Sequence, residues 1–248
     1  MADRHLMQLA AQCYREAGAA ADAARCYVEA DDPLHALDIF VEKQMFPQAA
    51  ELYLRCGPVD HAGWLLADRV GDIPAARAIV DQHADLTERE FTADDLNLAG
   101  QIQEARDRKE EAIDAQDFER AAQARDLEKQ LLARQRDVPR KVGGTLRWRL
   151  VLARCDAAER VAAGRCLRLL GDVQRALAGL SDLDTQPVEE WAVSVATTMR
   201  RLDQAALVFA ASVRGRRRDA ARRWRQWSVQ TLGEELVLPP GVLEGGDR

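Results

Sequence analysis

A fixed interval of thirteen residues runs through positions 1–91 and limits what this chain can fold into. Pairs of small or apolar residues recur at Ala10-Ala11, Ala23-Ala24, Ala36-Leu37, Ala49-Ala50, Ala62-Gly63 and Ala75-Ala76. Three and four positions after each start come Cys13-Tyr14, Cys26-Tyr27, Ile39-Phe40, Leu52-Tyr53, Leu65-Leu66 and Ala78-Ile79. Offsets 0, 3 and 4 share one face of an α-helix. Turn residues stand between the units: Gly18, Asp31-Asp32-Pro33, Pro47, Gly57-Pro58, then Gly71-Asp72 with Pro74. Thirteen residues leave about two and a half helical turns plus a tight turn. Helices that short hold only when neighbours pack on them. Paired, they give a hairpin unit of about 26 residues whose alanines let the axes approach closely, which predicts an α-solenoid.

The A-x-x-x-Y spacing and the glycine-then-alanine turns resemble tetratricopeptide-type repeats, although the unit is shorter than theirs. It is closer to the compact hairpins of coat-protein and clathrin-type solenoids. Tyr14, Tyr27, Phe40 and Tyr53 occupy a repeated core offset, so they are read as packing between helices rather than as the lining of a peptide groove. His35 and His61 share one repeat position beside a turn. With no carboxylate or cysteine at ligand spacing, they are read as turn residues and not as metal ligands.

The formal charge of −6 conceals an asymmetry. Residues 1–91 hold 8 basic and 16 acidic side chains, residues 92–138 hold 8 and 12, and residues 139–230 hold 18 and 9. Such a split suits either contacts between the two halves or an anionic partner for the basic half. The five cysteines, Cys13, Cys26, Cys56, Cys155 and Cys166, are odd in number and have no CxxC spacing. That argues against a disulfide framework or a zinc site. The first residues do not read as a signal peptide, and no apolar run approaches the roughly 18 residues of a membrane span. A cytoplasmic protein with reduced thiols is expected.

After Thr87 the pattern changes. Residues 94–136 contain no proline and no glycine beyond Gly100, and read as long charged helices. One apolar stripe is expected through Leu96, Leu98, Ile102, Ala105, Ala112 and Ile113. A second is expected through Phe118, Ala121, Ala122, Ala124, Leu127, Leu131 and Leu132. Glu104 and Arg108 stand four apart, as helical ion pairs do. The weak helix formers Asp114-Ala115-Gln116-Asp117 mark a hairpin turn, with Asp117 as N-cap of the second helix.

The stretch from Lys109 to Leu131 resembles the UVR motif of the excision-repair proteins UvrB and UvrC, of Clp-family unfoldase linkers and of their adaptor-type regulators. Its hallmark F-E-x-A-A-x-x-R-D stands here as Phe118-Glu119-Arg120-Ala121-Ala122-Gln123-Ala124-Arg125-Asp126. The spelling K-E-x-A-I-D-A-Q-D-F-E is nearest the Clp type, and the resemblance covers about a tenth of the chain. It implies an antiparallel helical hairpin that pairs with another hairpin. Phe118 would be the apolar anchor, Ala121 and Ala122 a socket beside it, and Glu119, Arg125 and Asp126 the polar surround. Ala124 stands where the motif usually has a larger aliphatic residue, which would weaken packing there. A coiled-coil linker pairing only within its own chain is the alternative.

Pro139 and Gly143-Gly144 are expected to break the chain. Beyond them, helices are predicted at about 145–179, 188–201, 203–214 and 218–231, with Trp148, Trp191, Trp224 and Trp227 as core fillers and a flexible tail from Glu234. The resulting division is a repeat array at 1–91, the hairpin at 92–138, a basic helical domain at 139–233 and the tail at 234–248. Arg214, Arg216, Arg217, Arg218, Arg222, Arg223 and Arg225 form the densest charge cluster. With Trp224 and Trp227 interleaved, that cluster suits phosphate contacts and base stacking. A helix face docking on acidic protein surface is its plainer explanation.

No phosphate loop, G-x-S-x-G or H-E-x-x-H is present in the sequence. The expectation is an all-α, non-catalytic, cofactor-free interaction scaffold or adaptor. Its partner is a UVR-motif protein, a Clp-type unfoldase or a second copy. The alternative is an accessory nucleic-acid binder in repair that uses the arginine cluster.

Overall fold

The computed structural model describes residues 3–180, 183, 185–215 and 219–238. Every regular element among the described residues is a helix, with no strand, and the chain divides into two compact units, Met1–His83 and Ala84–Arg248.

The first unit is a run of short helices: α1 (Arg4–Glu16), α2 (Ala20–Glu29), α3 (Pro33–Glu42), α4 (Phe46–Cys56), α5 (Val59–Leu65) and α6 (Ile73–Gln82). Each packs on the next. From α2 to α5 their starts fall thirteen residues apart, and α6 begins one residue late. The extra residue is absorbed in a π-helical turn at Leu66–Val70, where one more residue per turn can be housed.

The turns repeat as well. Gly18, Asp31 and Gln44 all take left-handed backbone, with φ of 77°, 56° and 56°. Behind each, the carbonyl of Tyr14, Tyr27 or Phe40 accepts a backbone N–H five residues on, at 2.9, 2.9 and 2.7 Å. This closure satisfies carbonyls that a helix end would otherwise strand. Prolines in the first turns of α3, α4 and α6 cost no intrahelical bond there.

Ala11, Ala23, Ala24, Ala36, Ala49, Ala50, Ala62 and Ala76 are all buried, so the small pairs lie at the helix contacts. Tyr27 is buried, while Phe40 and Tyr53 are half-buried against the same core. Tyr14 departs from the core expectation and is exposed. The two histidines also differ from expectation, because each has a carboxylate beside it. His35 Nδ1 lies 2.8 Å from Asp32 Oδ1 and His61 Nδ1 lies 3.2 Å from Asp60 Oδ1. Their rings rest on Tyr27 and Tyr53, with centroids 5.1 and 5.4 Å apart. The pairs lie 26 residues apart, one copy per hairpin. The histidines therefore fasten helix to turn.

The second unit contains α7 (Ala84–Glu88), α8 (Ala93–Leu96), α9 (Leu98–Asp114), α10 (Phe118–Ala158), α11 (Ala163–Gly179), α12 (Thr185–Thr198), α13 (Leu202–Arg214) and α14 (Ala220–Leu232). Its axis is α10, 41 residues long. The N-terminal part of α10 pairs with α9, and its C-terminal part is the central helix of a bundle with α11 and α12.

The break expected at Pro139 and Gly143-Gly144 does not occur, for α10 passes through all three. An interior proline loses one helical hydrogen bond and costs about 3 kcal/mol. That penalty is outweighed by the burial of Val142, Leu146, Trp148, Leu150 and Val151 just beyond it. Gly143 marks a close approach instead: a Cβ there would stand 3.1 Å from Leu183 Cδ1. The helix expected over 145–179 is two helices, parted at 159–162, where Arg160 and Ala162 take left-handed backbone without any glycine to announce it.

Trp148, Trp191 and Trp224 are buried in this unit, and Trp227 is half-buried. Phe209 meets Trp224 edge-on with centroids 5.7 Å apart, which joins α13 to α14. The described part of the segment expected as tail reaches Leu238, which is buried. The five cysteines are free thiols, and no described helix is long and apolar enough to cross a membrane.

Candidate protein-interaction hairpin

The hairpin is made by a three-residue turn. Asp117 N–H donates to the Ala112 carbonyl at 2.9 Å and Gln116 N–H to that of Ile113 at 2.9 Å. Gln116 takes the left-handed backbone (φ 57°) that ends α9. The Asp117 carboxylate then accepts the Arg120 N–H at 3.0 Å, capping α10 where a side-chain oxygen was expected to do so.

The inner face is a narrow seam. Leu98, Ile102, Ala105 and Ala112 of α9 are buried against α10, whose Ala124 and Leu131 are buried in turn. Ala124 thus packs within the hairpin itself, where a small residue lets the two axes close. One carboxylate clasps the seam: Glu128 lies 2.8 Å from Arg106 Nε and 2.6 Å from Lys109 Nζ. Glu104 and Arg108 pair along the outside of α9 at 3.3 Å. At the base, Thr92 and Asp95 form a reciprocal capping box that starts α8, and Arg134 of α10 reaches Asp95.

Lys109 first, and Arg106 with it, hold the Glu128 carboxyl below its ordinary range. A depressed folded-state pKa gives stability that is present above the unfolded value, about 4.3. That stability is lost as pH falls through the folded value. Hydrogen-exchange protection along α9 and α10, taken relative to the intrinsic amide rate at each pH, should fall as the buffer is taken from about pH 5 to about pH 3. Glu128→Gln should remove that part of the acid response. An unchanged response in the variant would show that Glu128 is not the clasp.

The second apolar stripe does not lie on one face, because its members follow two seams that alternate four and three residues apart. The inner seam runs Ala124, Glu128, Leu131 and Gln135. The outer runs Phe118, Ala122, Arg125, Lys129 and Leu132, every one exposed. Phe118 is 76 % exposed at the first turn of α10. Glu119, Ala122, Arg125 and Asp126 stand open beside it, and Ala121 is half-buried. The Arg125 guanidinium touches only its neighbour Asp126, at 3.4 Å and exposed.

Ile113 also leaves the stripe assigned to it, being 52 % exposed on the last turn of α9. It lies one helical turn beyond Lys109, which bonds Glu128. This edge of α9 therefore runs along the α10 edge that carries Ala121. Ile113 and Phe118 are two exposed apolar side chains on either side of the turn. Sequence spacing missed Ile113 because it follows the buried Ala112 directly and shares its stripe by one residue only.

The arginine cluster is not brought together as one surface among the described residues. Arg216, Arg217 and Arg218 lie outside them. Arg223 is committed, its guanidinium spanning both oxygens of Glu189 at 2.5 and 2.9 Å. Arg222 and Arg225 face outward and meet Asp219 at 3.2 Å and Glu235 at 3.8 Å. Trp224 is buried and Trp227 stacks on it at 5.3 Å, so Trp224 presents no face for a base.

Residues 99–134 match the UvrB/uvrC motif family, a motif associated with protein–protein and DNA-repair interactions. The match covers α9, the turn and α10 as far as Arg134. No curated protein and no solved structure matches the chain.

Proposed function

We propose that the chain is a non-catalytic interaction scaffold that captures a protein partner on the outer seam of the α9–α10 hairpin. The observation that carries this reading is the coincidence of the motif match with an outward aromatic: within 99–134, Phe118 projects to solvent at the head of α10. A soluble chain that leaves Phe118, Ile113 and Leu132 in water on one hairpin has apolar surface available for a partner. The small residues Ala121 and Ala122 leave space beside the ring, and Arg125 and Glu119 supply a charged rim. That is the anatomy of an interface hot spot.

The partner is a helical hairpin of the same kind, on a UVR-motif protein, on a Clp-type unfoldase or on a second copy of this chain. The run α1–α6 is an α-solenoid in this reading, resembling tetratricopeptide-type arrays, and presents a second protein-binding surface in a cytoplasmic adaptor. Support comes from its repeated turns and from helices that pack in chain order.

Phe118→Ala should weaken association at least tenfold while leaving helicity unchanged, since truncating a central aromatic anchor costs about 2–4 kcal/mol of binding. Mass photometry of the chain alone reads self-association, and pull-down with a UVR-bearing linker reads capture. Unchanged binding in both would remove the hairpin as the interface.

A further inference from the structure

The outer side of α14 takes no part in the core. Arg225, Gln226 and Val229 stand three, four and seven residues after Arg222, so all four share one side of the helix, away from the buried Ala220, Trp224 and Ser228. An open groove of about 490 Å³ runs along that side, with Glu235 on its wall. Val229 is 50 % exposed, and Leu232 in the last turn is exposed as well. Arg223, by contrast, turns to the buried Glu189 of α12, so the outer side is held in place by an ion pair beneath it.

This face is basic at one end and aliphatic at the other, and its own anions hold it weakly. Arg222 meets Asp219 at 3.2 Å and Arg225 meets Glu235 at 3.8 Å, with both members of each pair exposed. Such pairs contribute about 0–1 kcal/mol, so a better-placed carboxylate can displace them. The second pair also shows how an acid reaches the groove. Gly233 takes left-handed backbone (φ 77°), the Leu236 N–H donates to Ser228 Oγ at 3.0 Å, and Leu238 is buried. The chain after α14 is thereby folded back onto the helix, with Glu235 beside Arg225.

We propose that this groove receives an acidic amphipathic helix of a partner protein, its carboxylates on Arg222 and Arg225 and its aliphatic side chains on Val229 and Leu232, with Glu235 as the intramolecular competitor. Guanidinium groups match carboxylates in planar, two-point fashion. An apolar stripe beside complementary charge is how a groove takes up a helix, the charges fixing which way it lies. Nucleic acid suits the face less. Phosphates gain nothing from Val229 and Leu232, and of the two tryptophans on α14 one is buried and the other stacks on it.

Fluorescence anisotropy of the full chain tests this, with a labelled alanine-based helical peptide that carries glutamates toward one end and leucines toward the other on a single face. The peptide should bind, and glutamine in place of its glutamates should weaken it about tenfold, as should raising the salt from about 0.05 M to about 0.5 M. Arg222→Glu with Arg225→Glu should also cost about tenfold at unchanged helicity, since both side chains are exposed. Glu235→Gln should tighten binding roughly two- to fivefold by removing the competitor. Phe118→Ala should leave binding unchanged, which separates this face from the hairpin. No binding, equal binding of the glutamine peptide, loss in Phe118→Ala, no gain in Glu235→Gln, or tighter binding of a single-stranded DNA oligonucleotide than of the peptide overturns the proposal.

Discussion

Arg223→Met should lower the stability of the Ala84–Arg248 unit by about 3–5 kcal/mol, the cost of leaving a buried charge without its partner. Glu189 on α12 is 1 % exposed, and both its oxygens are held by the one guanidinium of α14. The Glu189 hydrogen bonds raise the affinity of Arg223 for its proton, so the guanidinium stays charged. Methionine keeps most of the length and apolar stem of arginine but none of its charge. In thermal melts the loss is a downward shift of roughly 6–20 °C. Pairing it with Glu189→Leu should recover most of the loss, because two apolar residues replace a buried ion pair at little net cost. A single-variant loss below about 1 kcal/mol would mean that water replaces the guanidinium at Glu189.

Gly179→Ala should be the other severe substitution. A Cβ on Gly179 would stand 2.0 Å from the Leu96 carbonyl oxygen and 3.4 Å from Asn97 Cα. These are backbone atoms of the α8 end, so no rotamer change relieves the clash. The last turn of α11 and the start of the hairpin would have to separate. Overpacking of this kind costs about 1–3 kcal/mol, and more when backbone must move. Gly171→Ala is the control in the same helix, where the new Cβ meets only the end of Arg175 at 3.8 Å. There the gain in helix propensity should stabilise by about 0.5–1 kcal/mol. Chemical denaturation of both variants reads the difference, and two losses of equal size would show that contact with Leu96 is not what constrains position 179.

Local rules held wherever a short piece of sequence fixed its own geometry. The thirteen-residue spacing was legible because turn closure and helix start repeat inside each unit. Gly18, Asp31 and Gln44 need only their own backbone and an aromatic carbonyl four residues earlier. Asp117 caps α10 by the same local logic. Those rules failed where contacts distant in sequence decide. Pro139 and Gly143 carry break signals, yet the helix continues because its far half is buried on several sides at once. Arg223, one arginine in a cluster of seven, takes a different role from Arg222 because it faces Glu189, 34 residues away.

The hairpin divides the same way. Its existence, its turn and its hallmark were written in Phe118 through Asp126. Which apolar residues stay out of the core was not, since Phe118, Ala122 and Leu132 mix with Ala124 and Leu131 in one run of sequence. The sequence by itself determined where helices begin, how they turn and that a UVR-like hairpin interrupts the array, because those features rest on backbone hydrogen bonds a few residues apart. Only the tertiary structure decided which face of α10 meets α9, which arginine is bound and which aromatic stands in water. Those outcomes depend on where a 41-residue helix is held, and it is held by residues far from the ones it leaves exposed.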